Sequence, residues 1–200
     1  MLIIGHRGAA GLEPENTIGS FKKAIELGVD AVEMDLRLDR NGVIVVAHDA
    51  DPEKIYPRSA RLTEVLKAVN VALHLEIKES GFEKQLLEMI KDFPSEVLIS
   101  SFKLKILRKI RSLDRNIKLG LAINQKMNRY FSFLILLSHY LRIYSIHPHY
   151  SLLTAARMWW MRRLGFQIYT FVINEQNLFE DVKRLGVDGV FTDHPDVIRQ

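Results

Sequence analysis

The sequence predicts an α/β protein with a single domain over residues 1–200, folded as a (β/α)8 barrel. Apolar, β-rich runs alternate with amphipathic helical runs along almost the whole chain. Eight strand–helix repeats are typical of this barrel, and 200 residues lie at its lower size limit. No Gly/Ser-rich or Pro-rich linker divides the chain. A doubly wound open sheet is the alternative architecture.

Nine strand-like runs are present, one more than the barrel needs. They span residues 2–5, 31–36, 43–47, 71–77, 96–101, 117–123, 142–147, 167–173 and 188–192. With the second run extended to residue 38, it is joined to the third only by Asp39-Arg40-Asn41-Gly42, which can form a hairpin but is too short for a parallel crossover. The third run is therefore predicted to return antiparallel beside the second, as an excursion from the barrel. If the hairpin is centred on Arg40-Asn41, His48 lies opposite Glu33.

Two helices can be bounded from sequence signals. The first is predicted over residues 17–27, because its apolar residues recur at helical spacing and Asn16 or Thr17 can cap its start. Gly28 follows as a stop signal. The other is predicted over residues 62–68.

Side chains on two of the predicted strands alternate in character. Glu33 and Asp35 share one face of the second run, and His74, Glu76 and Lys78 share one face of the fourth. Because the apolar face of a barrel strand meets the helices, these polar side chains are predicted to point into the lumen, near the strand ends where barrels hold their active sites. His74 lies deeper and is expected to be a hydrogen-bonded filler.

The carboxylates of Glu33, Asp35 and Glu76 suit a hard divalent cation, since such ions prefer oxygen ligands and the chain has no cysteine. Mg²⁺ is the favoured ion, with Ca²⁺ or Mn²⁺ as alternatives. The other interpretation is that the acids pair only with Arg or Lys, although three lumen acids with few cations would be costly to bury.

Two histidines also fall at strand ends. His6, followed by Arg7, ends the first strand, and His48 ends the returning run. Imidazoles can act as general acid and general base near neutral pH. A divalent cation, Arg7 and Lys78 would together supply more positive charge than the three carboxylates supply negative charge. The site would then carry a net charge near +1, which a phosphodiester would neutralise.

At these residues the chain resembles the glycerophosphodiester phosphodiesterase family. The matching segments are HRGAAGLEPENTIGSFKKAIELGVDAVEMDLRLDRNGVIVVAHD (6–49), LEIK (75–78), VINEQ (172–176) and GVDGVFTDHPD (186–196). The resemblance implies a TIM-type barrel with the hairpin excursion, and a phosphoric diester hydrolase that releases glycerol 3-phosphate and an alcohol. The roles it implies are metal binding by Glu33, Asp35 and Glu76, acid/base catalysis by His6 and His48, phosphate contact by Arg7 and Lys78, a substrate wall at Phe171, and support from Glu15.

The chain departs from the family pattern in three places. Family members carry a substantial insertion between the His-Asp element and the third metal carboxylate, where only 27 residues (49–75) stand here. The loop Asp51–Arg58 is too short to form a lid, so we expect an open site. Phe171 replaces a Trp, and His74 stands where Asn or an apolar residue is more usual.

The resemblance implies a route through a cyclic phosphate, with direct attack by water as the alternative. We assign His6 as the base and His48 as the acid. Two other functions stay open: a lysophospholipase D-type enzyme acting on membrane lysolipids, and a non-catalytic binder of phosphate ligands.

The charge and the lengths of the apolar runs indicate the cellular location and the kind of partner. The formal net charge is +4, only four apolar residues precede His6, and the apolar run 130–137 is shorter than a membrane span. We expect a cytoplasmic enzyme of lipid and glycerol metabolism with a small-molecule substrate and no nucleic-acid partner; the oligomeric state stays open. The basic stretch 103–118 and Trp159 are interpreted as solvated surface, so membrane contact is the alternative and is not expected. The remaining histidines are expected in loops, at strand ends or on the surface: His139, His147, His149 and His194. Substrate contact near the mouth is the alternative for the stretch His147-Pro148-His149.

Overall fold

The computed structural model describes residues 1–49 and 59–198. Eight parallel strands close into a barrel in which each pairs with the next and the last pairs with the first. These strands are β1 (Leu2–Gly5), β2 (Ala31–Leu38), β4 (Ala72–Ile77), β5 (Val97–Ser101), β6 (Lys118–Ile123), β7 (Ser145–Pro148), β8 (Gln167–Thr170) and β9 (Gly189–Thr192). The predicted (β/α)8 barrel is confirmed.

Helices surround the strands. They are α1 (Ile18–Glu26), α2 (Leu62–Ala68), α3 (Glu83–Ile90), α4 (Leu104–Leu113), α5 (Phe131–Tyr140), α6 (Ala155–Arg163), α7 (Gln176–Leu185) and α8 (Pro195–Ile198), with 3₁₀ segments at Gln125–Tyr130 and Tyr150–Leu152. Both helices bounded from the sequence are confirmed, and the hydroxyl of Thr17 caps α1 by accepting from the Ser20 N–H at 3.1 Å. None of the described helices is long and apolar enough to cross a membrane.

The main hydrophobic core lies between the barrel and the helices. On β2, Val32, Met34 and Leu36 are fully buried in this layer, so their neighbours Glu33 and Asp35 point into the lumen as the alternation predicts. A smaller cluster fills the lumen itself and consists of Ile4, Ala31, Leu98, Tyr169 and Phe191. The barrel therefore has a packed floor, and its polar chemistry is confined to the mouth.

The hairpin excursion is present, but its predicted register is wrong by one residue. Strand β3 (Ile44–Val46) pairs antiparallel with β2, with Leu36 opposite Val46, so His48 does not face Glu33. The reason is a three-residue loop: Asp39 donates its N–H to the Val43 carbonyl at 2.9 Å. Gly42 takes the left-handed conformation (φ 74°) that such a loop requires.

The shortened region after this hairpin is only partly described. The loop Asp51–Arg58, from which we expect an open site, lies outside the described residues. Helix α2 follows it and leads into β4.

Candidate active site

The carboxyl ends of the barrel strands surround a cavity of about 360 Å³. Its lining consists of His6, Arg7, Glu33, His48, Glu76, Lys78, Ser100, Phe102, Ala122, His147, His149, Tyr150, Phe171, Val172 and Phe191. The residues predicted to bind metal, contact phosphate, act as acid and base or form the wall are all in this lining except Asp35, which is 1% exposed and bonded to the lining residue Lys78. Glu15, predicted to support the site, also lies outside the lining. Residues distant in the chain therefore converge on one site.

Three carboxylates form a compact cluster on two adjacent strands. Asp35 of β2 lies beside Glu76 of β4 in the sheet, and the oxygen atoms of Glu33, Asp35 and Glu76 lie within 4.8 Å of one another. Burial, and then the negative charge of Asp35, raises the pKa of Glu33 to about 8. Crowded, buried oxygens of this kind fit a divalent cation, whose charge would relieve their repulsion.

Asp35 is held in place from both sides. The Asn16 side-chain amide donates to Oδ2 at 2.9 Å, and the Asp35 N–H donates back to Asn16 Oδ1 at 3.2 Å. The Lys78 ammonium lies 2.7 Å from Oδ1. Burial acts to raise the pKa of Asp35, but Lys78 and Arg7 outweigh it and the pKa is lowered. Asp35 is therefore held in its ionised form.

Lys78 links the cluster to the cavity. Its ammonium contacts Asp35 and also donates to Glu76. Burial acts to lower the pKa of Lys78, but Glu76 and Asp35 outweigh burial and raise the pKa. The pKa of Glu76 is also raised, by burial first and by Asp35, against the effect of Lys78. Lys78 is thus a permanent cation at the cavity wall.

The turn after β1 places Arg7 beside the carboxylates. Arg7 is left-handed (φ 52°), and its N–H donates to Glu33 Oε2 at 2.8 Å. Its guanidinium donates to Glu15 at 2.8 Å, so Glu15 lies beside a cation of the cavity. The next residue must be Gly8 (φ 88°), because a Cβ there would come within 2.4 Å of the Ser20 hydroxyl.

His6 has a carboxylate partner that the sequence reasoning missed. Nδ1 of His6 lies 2.7 Å from Asp193 Oδ1, and the Asn174 side chain donates to Asp193 Oδ2 at 2.7 Å. Burial acts to lower the pKa of His6, but the bond to Asp193 and the charge of Glu33 outweigh it, so the pKa is raised. Asp193 is thus placed to fix the ring and its tautomer.

His48 lies at the more open part of the same cavity. Its side chain is 40% exposed, against 19% for His6. Nδ1 lies 3.0 Å from Asp49 Oδ1, and the His48 carbonyl accepts from Arg37 Nε at 2.9 Å. Both predicted histidines therefore reach the site, although the predicted strand register was wrong.

Two further histidines are buried in the lumen, where His147 lines the cavity and His74 packs against it. His74 is buried as predicted, and burial lowers its pKa to about 3, but Nδ1 has no hydrogen-bond partner among the described residues. His147 was expected at a strand end or on the surface; it is 2% exposed and bonds Ser145 at 2.8 Å. The two rings are stacked, with centroids 6.2 Å apart, against Tyr169 and Phe191.

An aromatic wall borders the mouth. Phe171, the predicted wall residue, packs edge-on against Phe102 and His149 with centroid distances of 6.0 and 5.7 Å. Tyr150 stacks on His149 at 4.4 Å. Of these four residues, His149 had been weighed as a substrate contact, whereas Phe102 and Tyr150 were missed because each follows a strand without a recognisable polar motif.

The fold and the site together define a class of enzyme: a (β/α)8 barrel with two imidazoles, two cations and three clustered carboxylates at its mouth. The sequence model of the "Glycerophosphoryl diester phosphodiesterase family" matches residues 6–65 and 59–197. The chain belongs to this family of phosphoric diester hydrolases.

Individual relatives cover nearly the whole chain. A glycerophosphodiester phosphodiesterase of Caldanaerobacter subterraneus subsp. tengcongensis is 25% identical over 236 residues, covering 98% of this chain and 96% of that protein. The crystal structure of a Thermotoga maritima glycerophosphodiester phosphodiesterase has a TM-score of 0.87 and 26% identity, with 100% and 97% coverage. A phosphodiesterase of Oleispira antarctica, solved with its product sn-glycerol-3-phosphate, has a TM-score of 0.89 and 24% identity, with 100% and 95% coverage.

The comparisons agree with a shortened region after His48. The alignment with the Caldanaerobacter protein runs over 236 residues although this chain has 200, so that relative contains residues without a counterpart here. The family match is made in two pieces that overlap at 59–65. The break between the two matched pieces thus falls in the region where the sequence indicates a missing insertion.

Proposed function

We propose that this chain hydrolyses glycerophosphodiesters to glycerol 3-phosphate and an alcohol. The observation that carries the proposal is the convergence of His6, His48, Arg7 and Lys78 with the carboxylate cluster on one cavity, in a member of this family. A single-domain organisation and a cytoplasmic location, both expected from the sequence, remain part of the proposal.

Charge supports a singly charged phosphodiester as the ligand. The three carboxylates are countered by Arg7 and Lys78, and a bound divalent cation would bring the site close to +1. A diester phosphate of charge −1 neutralises that remainder. Both cations line the cavity, where an ammonium or guanidinium can form charge-assisted hydrogen bonds with phosphate oxygens.

The residues that would hold a divalent cation are Glu33, Asp35 and Glu76. They offer oxygen ligands only, which favours Mg²⁺, with Ca²⁺ or Mn²⁺ as alternatives. When bound, such an ion polarises a phosphoryl oxygen and lowers the pKa of a hydroxyl that it contacts. Asn16, which holds Asp35, and the Arg7 N–H, which holds Glu33, fix the orientation of two of the three ligands.

His6 acts as the general base. With Nδ1–H bonded to Asp193, the free Nε2 can accept the proton of the glycerol 2-hydroxyl as its oxygen attacks phosphorus. Attack by this hydroxyl gives a cyclic phosphate that water then opens. Direct attack by water, deprotonated by the same nitrogen, is the alternative.

His48 acts as the general acid. As the bond between phosphorus and the alcohol oxygen breaks, His48 gives its proton to the departing alkoxide. Its exposed position suits a group that faces the leaving alcohol and exchanges protons with water. In the second step of the cyclic route, the same residue takes a proton from the water that opens the ring.

³¹P NMR of the products tests the proposal. With glycerophosphocholine we expect glycerol 3-phosphate, and with a lysophospholipid presented in vesicles we expect less turnover. His6→Ala should abolish product formation, whereas the control His139→Ala, which changes an exposed histidine outside the cavity, should not. Release of phosphocholine would contradict the proposed bond cleavage. A preference for the lysolipid would favour the lysophospholipase D-type alternative, and binding without turnover would favour the non-catalytic one.

A further inference from the structure

The charges of the chain are strongly segregated. Between Glu96 and Glu175 there are thirteen Lys and Arg residues and a single acid, Asp114. The rest of the chain carries the other 15 basic residues against 23 acids. This cationic part contains α4, α5 and α6, three consecutive helices of the outer ring. One flank of the barrel is therefore basic while the remainder is acidic.

The outward face of α5 on this flank is apolar. Phe133, Leu136 and Tyr140 are 63%, 57% and 80% exposed, and their spacing puts them on one stripe of the helix. No charged residue occurs within α5. The inner face is also apolar, with Leu134 and Ile135 in the core. A helix that carries large apolar side chains on both its inner and its outer face is normally covered on both, yet the outer face of α5 meets solvent.

Further exposed aromatic residues and an arginine occur on this flank. Tyr130 precedes α5 and is 49% exposed, and Trp159 of α6 is 68% exposed. The Arg157 guanidinium lies over the Phe131 ring at 4.2 Å, so α5 and α6 lie side by side. We call Tyr130, Phe133, Leu136 and Tyr140 the α5–α6 face. Trp159 lies about 200° round α6 from Arg157, on the side away from α5, and is not part of this face.

Several exposed cations on this flank have no carboxylate to neutralise them. Across residues 1–49 and 59–198, no ion pair with a carboxylate is formed by Lys105, Arg108, Arg115, Lys126, Arg129 or Arg163. Their charge is therefore available to an external anionic surface.

The face also adjoins the mouth of the barrel. The segment Gln125–Tyr130 follows β6 at its carboxyl end, and Gln125 donates to the Ser151 hydroxyl at 3.0 Å. Ser151 is next to Tyr150, which lines the cavity. A surface bound to the α5–α6 face would thus lie beside the route into the site.

We propose that the α5–α6 face docks on an anionic phospholipid surface. Apolar side chains framed by Lys and Arg are the combination that holds a helix at a lipid headgroup layer, since the former enter the interface and the latter bind anionic lipids. A second copy would set two cationic flanks against each other, and a nucleic acid would leave the apolar side chains unused. The inference is independent of the proposed hydrolysis, because docking can be measured without turnover.

Co-sedimentation of the full chain with vesicles tests docking. We expect binding to phosphatidylcholine vesicles that contain phosphatidylglycerol, much weaker binding to phosphatidylcholine alone, and loss of binding as salt rises. The double variant Phe133→Ser/Leu136→Ser should weaken binding at least tenfold, roughly the loss expected when large apolar side chains no longer enter the interface. Leu185→Ser is the control, because it makes the same change at an exposed position of α7.

A charge variant separates the electrostatic contribution. Lys126→Gln/Arg163→Gln should weaken binding to the anionic vesicles by about fivefold per charge removed. The control Lys22→Gln/Lys84→Gln removes two exposed charges from α1 and α3 and should change binding little.

Three outcomes would overturn the proposal. One is absence of binding to the anionic vesicles. Another is equal loss of binding in the control and test variants, which would show that the α5–α6 face is not the contact. The third is concentration-dependent dimerisation in sedimentation velocity that Phe133→Ser abolishes, which would assign the face to contact between copies.

Discussion

Asp193 Oδ1 lies 2.7 Å from Nδ1 of His6, and the two residues follow adjacent strands. The pairing of Gly5 with Thr192 in the register of β1 and β9 brings the next residue of each strand together. Closure of the barrel therefore places a carboxylate behind the proposed base, which raises the pKa of His6.

The first prediction concerns this carboxylate. Asp193→Asn removes a negative charge that raises the pKa of His6, so the acidic limb of the kcat/KM profile should move to lower pH and kcat should fall at least about tenfold. The control Asp196→Asn, on the same segment, should leave the pH profile of kcat/KM and the value of kcat unchanged. An unshifted profile in Asp193→Asn would show that Asp193 does not act through His6.

The second prediction separates the two histidines. A nitrophenolate leaving group needs no protonation, so His48→Ala should lose about 10²–10⁴-fold on an ordinary diester but much less on a nitrophenyl diester. His6→Ala should lose about 10²–10⁴-fold in rate on both the ordinary diester and the nitrophenyl diester. Steady-state kinetics on the two substrates decides the matter, and equal losses by both variants on both substrates would refute the division of roles.

The third prediction concerns acid stability and His74. Its pKa is about 3 in the fold and about 6.5 when unfolded, so the neutral ring's contribution is complete above pH 6.5 and is lost as pH falls toward 3. Between pH 7 and pH 5 the free energy of unfolding should fall by about 2 kcal/mol because of this residue.

Urea unfolding of the wild type and His74→Leu at the two pH values measures this contribution. The decrease on going to pH 5 should be smaller in the variant by that amount, while His139→Ala should behave as the wild type. Identical decreases in His74→Leu and the wild type would mean that His74 is not held neutral by burial.

The fourth prediction concerns Glu33. Because burial and Asp35 raise its pKa to about 8, a cation that binds the ionised form must displace a proton at neutral pH. Mg²⁺ affinity should therefore increase by up to about tenfold per unit from pH 6 to pH 8 and then level off. Calorimetry in buffers of different ionisation enthalpy measures the released proton. Glu33→Gln should reduce the release and Glu26→Gln should not; pH-independent affinity in the wild type would argue against this state of Glu33.

Most of the barrel could be predicted because its signals are local. Strand–helix alternation and the alternation of Glu33 and Asp35 with apolar residues follow directly from the order of side chains. The register of the hairpin could not be predicted from the sequence, because it depends on whether Gly42 adopts a left-handed conformation. That choice adds one residue to the loop and changes every pair in the hairpin.

The missed site residues depend on contacts between distant strands. Asp193 directly follows β9, and the closure of β9 on β1 would have placed it beside His6. His147 alternates with Ser145 on the inner face of β7, but its strand was expected to end at residue 147, so it was placed at the end rather than inside. The apolar outer face of α5 was also hidden in the sequence, because an apolar run does not show which side will be covered.

Metal-dependent hydrolysis of a glycerophosphodiester can be tested by following glycerophosphocholine turnover with ³¹P NMR. Turnover is measured before chelation, after chelation and after the metal ion is added back. We expect exhaustive chelation to stop the release of glycerol 3-phosphate and added Mg²⁺ to restore it. Glu76→Gln should lower turnover by orders of magnitude, while Glu88→Gln, an exposed change on α3, should leave it intact. Undiminished turnover by the fully chelated protein would contradict the account.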